Sequence, residues 1–183
     1  MKYFFASDIH GDLEAARVMA VAFERERADR LFLLGDLLYH GPRNRICAAY
    51  DPARVSELLN GMKDKITAVR GNCDAEVDQM MLSFPMMADY AVLPLGNRTA
   101  YLTHGHLSED RLPHLQGADI LITGHTHIAG VSKNATGTLC LNPGSVSLPK
   151  GDTPACYMVL DTKMCVFSIR RLLDGSEFSA YSF

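Results

Sequence analysis

Five short stretches carry five of the seven histidines of this chain together with three aspartates, all residue types suited to holding a metal ion. They are Asp8-Ile9-His10, Gly35-Asp36, Gly71-Asn72-Cys73-Asp74, His104-Gly105-His106 and Gly124-His125-Thr126-His127. Any one of them alone is a weak signal. Together they offer carboxylates, an amide and several imidazoles, a set of oxygen and nitrogen donors that suits Mn²⁺, Fe, Zn²⁺ or Mg²⁺ rather than a cysteine-built structural zinc site. Two divalent ions bring four positive charges. Asp8 and Asp36 return two negative ones, and the remaining positive charge suits a phosphoryl group and lowers the pKa of a bound water. A carboxylate such as Asp36 has two oxygens and can bridge two cations.

The elements that must position these residues can be read from the apolar runs in front of them. Tyr3–Ala6 reads as a buried first strand, Leu31–Leu34 as a second and Ile66–Val69 as a third. Between them, Leu13, Ala16, Ala20 and Phe23 fall at helical spacing over about residues 12–26. Asp51-Pro52 is a helix start, a capping side chain followed by proline in the first turn, and the stripe Val55, Leu58, Leu59, Met62 follows it. This β-α-β-α-β order predicts parallel strands with right-handed crossovers.

The second half reads as strands joined by short turns: Tyr90–Leu95, Thr99–Thr103, Ile120–Thr123, Val131–Lys133, Thr138–Leu141, Ala155–Leu160 and Cys165–Ile169. The last two form a hairpin. Only Glu109–Leu115 looks helical there. The expected packing is an α/β fold with two sheets face to face and helices outside, a single domain over 1–183. In open α/β sheets ligands bind beyond the carboxyl ends of strands, and each motif follows a strand. The glycines at 11, 35, 71, 105 and 124 are expected to let the backbone turn sharply beside the ligands.

These blocks resemble the calcineurin-like metallophosphoesterases, whose pattern is D-x-H, G-D, G-N-H-[D/E], H and G-H-x-H. All five are present in order between residues 8 and 127, and Asn142-Pro143-Gly144-Ser145 also fits. The likeness extends over the whole chain to small bacterial and archaeal phosphodiesterases of the YfcE type. It implies a four-layer αββα sandwich and hydrolysis by direct attack of a metal-bridged hydroxide, with no covalent enzyme intermediate. It also implies ligand sets: Asp8, His10, Asp36 and His127 for one ion, and Asn72, His104 and His125 for the other, with Asp36 shared. The usual ion in such small members is Mn²⁺.

One position departs from the pattern. Cys73 stands where the wider family has a histidine that steadies the transition state or protonates the leaving oxygen. A thiol is the poorer acid at neutral pH, with an ordinary pKa of about 8.5 against about 6.5 for histidine. Slower chemistry and a preference for good leaving groups are expected. Asp74 is expected to orient its neighbours, and His106 to support the site. Arg43 and Asn44, in the loop after Asp36, are candidates for phosphate contact, with Lys150 a weaker one. His40 and His114 are read as ordinary structural histidines. The methionines, including Met80-Met81 and Met86-Met87, are read as core filling.

Composition bounds the rest. The chain has 183 residues, 48% hydrophobic and 21% charged, long enough for a sizeable core. A net charge of -3 and the lack of a basic arm argue against stable nucleic-acid binding. Five cysteines without a C-x-x-C pair fit a reducing cytoplasm, and neither a signal segment nor a membrane span is read. The expected partner is a small phosphodiester. The rival readings are a phosphomonoesterase and a non-catalytic scaffold like that of the retromer coat. The aromatic tail (Phe178, Tyr181, Phe183) is expected to pack on its own sheet or on another copy.

Overall fold

A computed structural model describes residues 1–108, 111, 115 and 119–183. Strands β1 (Lys2–Ala6), β2 (Arg30–Leu33) and β3 (Ile66–Ala68) are parallel, and helices α1 (Leu13–Glu26) and α2 (Pro52–Asn60) connect them. After helix α3 (Glu76–Met81) come β4 (Tyr90–Leu95), β5 (Arg98–Thr103), β6 (Ile120–Ile122), β7 (Gly130–Lys133) and β8 (Leu139–Asn142). The chain ends on β9 (Cys156–Asp161), β10 (Val166–Arg171) and β11 (Glu177–Ser182). One mixed sheet has the order β11-β10-β9-β1-β2-β3 and the other β4-β5-β6-β8-β7.

The two sheets bury their facing sides against each other. Phe5, Phe32, Met158 and Phe167 of the six-stranded sheet share one core with Ala100, Leu102, Ile122 and Leu141 of the other. The opposite side of the six-stranded sheet is covered by helices, where Phe4, Leu31, Leu33 and Tyr157 pack against Ala16, Met19, Phe23, Val55 and Leu59. This is the expected sandwich. The helix expected over Glu109–Leu115, and His114 within it, lie largely or wholly outside the described residues.

Local chemistry sets the helix ends. The Asp12 side chain accepts from Ala15 N and Asp51 from Arg54 N, so each helix begins on a capped N–H. Helix α1 is tied to the sheet at its far end. The Tyr157 hydroxyl donates to Glu26 Oε1 at 2.7 Å, and Arg170 Nη1 reaches the same oxygen at 3.0 Å. That pairing is what permits a buried carboxylate in the last turn.

Two elements escape the sequence reading. Helix α3 is short, and its Val77 and Met80 face outward, so its apolar spacing carries no core signal. Met86 is core as expected, but Met80 and Met81 are exposed, which corrects the reading of that pair as filling. The aromatic tail becomes β11, paired antiparallel with β10, where Phe183 packs against Phe167 with ring centroids 5.2 Å apart.

Candidate metal centre

Loops after β1, β2, β3, β5 and β6 meet at one rim of the sandwich. Backbone hydrogen bonds stitch the first two together, Asp8 N to Gly35 O (3.1 Å), His10 N to Asp36 O (2.9 Å) and Gly11 N to Leu37 O (3.0 Å). The loops of the second sheet join through Gly124 N to His104 O at 3.0 Å. Five of the seven expected ligands adopt left-handed backbone conformations: Asp8, His10, Asp36, His125 and His127 have φ between 52° and 65°. Non-glycine residues take this conformation at a cost of about 1–3 kcal/mol each, and it concentrates where a site over-determines the backbone.

Not every glycine serves as expected. Gly35 turns through φ 92°, but Gly71 and Gly124 do not lie in the left-handed region. They are needed for lack of a side chain. A Cβ at Gly71 would collide with Asp36 Oδ1 and backbone N, and one at Gly124 with Ser7 Oγ and Asp8 Oδ2.

The histidines are oriented by the nitrogen that faces away from the site. His10 Nδ1 meets Tyr39 O at 2.9 Å, His104 Nδ1 meets Leu34 O at 2.6 Å and His127 Nδ1 meets Leu148 O at 2.6 Å. A carbonyl only accepts, so each Nδ1 carries a proton and each ring turns its Nε2 toward the site. Those inward nitrogens lie beside acceptors and beside one another. His127 Nε2 lies 3.4 Å from His10 Nε2 and 3.2 Å from Asp8 Oδ1. Asp8 Oδ1 is buried without any hydrogen-bond partner. Asp36 Oδ2 sits 3.6 Å from His10 Nε2 and 3.4 Å from His104 Nε2, and Asn72 Oδ1 lies 3.1 Å from His104 Nε2. Converging acceptors of this kind fit divalent cations, and the outward hydrogen bonds are the usual second layer of such sites.

The structure brings several of the expected ligands together in three overlapping groups. Asp8, His10 and His127 converge; so do Asp8, Asp36 and His104, and His10, Asp36 and Cys73. Asp8 therefore lies beside both sets. His125 is less closely gathered, with its ring 5.0 Å from that of His104 and its backbone N–H on Asp8 Oδ2 at 3.0 Å.

Asp74 binds none of these rings. Its Oδ2 accepts from Asp36 N (2.8 Å) and Gly71 N (2.7 Å), and its Oδ1 from Leu37 N (2.9 Å). Burial pushes its carboxyl up to about 6, against the pull of those three N–H groups. Burial also pushes the Cys73 thiol up to about 12, with the neighbouring Asp36 carboxylate adding to it. The thiol is therefore protonated at neutral pH and a poor proton donor to a leaving oxygen.

Asp36 and His104 are coupled. Burial opposes charge on both, but their mutual hydrogen bond and attraction win, so the carboxyl lies well below its usual range and the imidazole above its own. His10 and His125 move the other way, lowered first by burial. A cation at His104 must displace the proton that Asp36 retains there. Divalent-ion affinity should fall as pH drops through neutral, beginning above the ordinary histidine pKa of about 6.5 and weakening by up to about tenfold per pH unit. Calorimetry from pH 6 to 8.5 measures this, and a flat profile would contradict it.

A cleft of about 870 Å³ opens over these residues. Arg43, Asn44 and Lys150 line it as expected, joined by Tyr39, Pro42 and Ala75. Lys150 arrives on the loop that orients His127, since its N–H donates to His127 O. Asn142 and Ser145 brace rather than bind: Asn142 Nδ2 donates to Gly124 O at 2.7 Å and Ser145 Oγ to Asp8 O at 2.8 Å. His40 joins no ligand group among the described residues; its ring contacts those of Tyr39 and Tyr50.

Comparison with known proteins agrees with this geometry. The chain is 47% identical over 177 residues to Phosphodiesterase YfcE of Escherichia coli strain K12, covering 96% of this chain and 95% of that one. It is 28% identical over 178 residues to the Probable metallophosphoesterase YsnB of Bacillus subtilis strain 168, covering 93% and 89%. The solved structure of the E. coli phosphoesterase Yfce superposes with a TM-score of 0.92 at 45% identity, over 100% of this chain and 99% of that one. Vps29 of Entamoeba histolytica in complex with Zn²⁺ shares the fold at 21% identity and a TM-score of 0.62, over 99% and 97%. Residues 1–164 match the calcineurin-like phosphoesterase superfamily domain, and the chain belongs to that superfamily.

Proposed function

We infer that this chain is a metal-dependent phosphodiesterase. The observation that carries the reading is the convergence of the inward-facing Nε2 atoms of His10, His104 and His127 on Asp8 and Asp36. We assign Asp8, His10, Asp36 and His127 to one divalent ion and Asn72, His104 and His125 to a second, with Asp36 between them. Mn²⁺ is the ion proposed, as the resemblance to the small members of the family implies, and the oxygen and nitrogen donor set is compatible with it. When bound, such a pair of ions supplies an activated water and draws charge from the phosphoryl oxygens.

The protein's own groups do the rest. Asp36 would serve as a ligand to both ions, and Asp74 holds Asp36 and Gly71 in register. Arg43, Asn44 and Lys150 orient the ester in the cleft. All five cysteines are free thiols, which supports a reducing compartment such as the cytoplasm. No described helix is long and apolar enough to cross a membrane. We take residues 1–183 as one domain, because both sheets contribute to the site. The intact ligand set favours an enzyme over the scaffold reading.

The test is hydrolysis of bis(p-nitrophenyl) phosphate and of p-nitrophenyl phosphate by metal-stripped protein, with Mn²⁺, Mg²⁺ or Zn²⁺ restored. Rescue on the diester supports the assignment. A clear preference for the monoester would replace it with the monoesterase reading, and folded protein that is inactive with every ion would favour a scaffold.

The raised thiol also makes a prediction. Cys73→His places an acid near neutral pKa where the chain has one of about 12. Turnover of diesters with poor leaving groups should rise by about 10-fold, a fraction of the roughly 10²–10⁴-fold that a well-placed general acid contributes. p-Nitrophenyl esters should gain less. An unchanged or lower kcat at full metal content would count against a proton-transfer role for this position.

A further inference from the structure

We propose that a second pocket, beyond Asn72 from the main cleft, binds a phosphate group carried on one alcohol arm of the diester. The proposal rests on the phosphodiesterase reading and names its substrate class. A diester has two organic arms, and this site has two openings. Asn72 lines both the cleft of about 870 Å³ and a smaller pocket of about 300 Å³. Arg70, Gly71, Asp89, His106, Leu107 and Arg111 complete the smaller one among the described residues.

The smaller pocket is built for an anion. Arg70 is fixed by its Nε on Asp74 O at 3.3 Å, within the loop that carries Asn72, and pairs with no carboxylate among the described residues. Arg111 Nη2 is held by Asp89 Oδ2 at 2.9 Å, and its other guanidinium nitrogens have no hydrogen-bond partner among the described residues. Among the described residues that line the pocket, two guanidiniums face one carboxylate. His106 lines the same pocket and adds a polar ring to its wall.

Guanidinium forks match phosphate oxygens in pairs. A volume of about 300 Å³ is at the small end of ligand sites and suits a phosphate on a short alcohol rather than a nucleobase. The bulkier arm then lies in the main cleft, against Tyr39, Pro42 and Ala75. His106 becomes a positioning residue for the small arm.

The test uses three p-nitrophenyl phosphodiesters with Mn²⁺-loaded full-length protein. Their second alcohol is ethanol, 2-hydroxyethyl phosphate or 3-hydroxypropanoate. The phosphate-bearing ester should show a KM at least about 10-fold below that of the ethyl ester, at similar kcat. Arg111→Glu should collapse that ratio, and Lys163→Glu, the same charge change on the distant β9–β10 turn, should preserve it. No advantage for the phosphate arm, an equal advantage for the carboxylate arm, or a ratio that survives Arg111→Glu would overturn the proposal.

If no ester is hydrolysed, the underlying reading has failed instead. Calorimetric titration with 2-phosphoethylphosphonate and with ethylphosphonate then decides the pocket without turnover. Tighter binding of the former, lost in Arg111→Glu, supports it, and equal binding of the two overturns it.

Discussion

Asp36→Asn should lower kcat/KM on an aryl phosphodiester by about 10³-fold at saturating Mn²⁺, the equivalent of roughly 4 kcal/mol of transition-state stabilisation. The amide keeps the shape and can still accept from Cys73 N, which now bonds Asp36 Oδ1 at 2.8 Å, so the fold should survive with a Tm close to the parent. What disappears is the negative charge lying within 3.6 Å of both His10 Nε2 and His104 Nε2. Metal content should fall below two ions per chain. The His104 imidazole should also lose the attraction that raises it, so the proton competition expected in the parent should shift to lower pH. Activity within tenfold of the parent would contradict the assignment of Asp36 as the shared ligand.

The second large effect belongs to a residue that touches no ligand ring. Asp74→Ala leaves the N–H groups of Asp36, Leu37 and Gly71 without their acceptor in a buried place. Hydrogen bonds to a charged group contribute about 1.5–3 kcal/mol each and do not add fully, so a loss of about 4 kcal/mol is expected. For a chain of this size that corresponds to a fall in Tm of about 10 °C. Metal affinity should drop by about 10–100-fold, as when outer supports of a metal site are removed. Excess Mn²⁺ should recover part of the Tm, because an ion that binds only the folded chain stabilises it. Asp74→Asn should not restore the parent, since its amide nitrogen meets N–H donors at one of the two oxygen positions. Thermal melts with and without Mn²⁺ measure both effects, and a change in Tm below about 3 °C would show that the three N–H groups find other partners.

Much of the site was legible because the fold marks it locally. Buried apolar runs such as Phe4–Ala6 and Leu31–Leu34 end abruptly in a polar residue or a glycine, and that pattern locates the rim before any packing is known. The braces were not legible to the same degree. Asp74 acts on Asp36 across 38 residues, and Ser145 on Asp8 across 137. No local periodicity records such contacts. The roles of Gly71 and Gly124 likewise depend on what approaches them, Asp36 in one case and Ser7 with Asp8 in the other.

The two missed elements share a cause. Helix α3 is held by polar contacts, with Gln79 Nε2 on Leu82 O and Phe84 O and Asp78 Oδ2 on Ala75 N, while its apolar side chains face out. Strand β11 is an edge strand whose residues are mostly exposed and whose place is set by pairing with β10. A reading based on buried stripes passes over both.

The central claim is that this rim holds two divalent ions, and counting them tests it most directly. Metal-stripped chain at pH 8 should bind two Mn²⁺ per molecule by calorimetry and by elemental analysis after desalting. His127→Ala and His104→Ala should each remove one ion. A folded parent chain that binds one ion or none, with catalytic activity unaffected by chelators, would contradict the account.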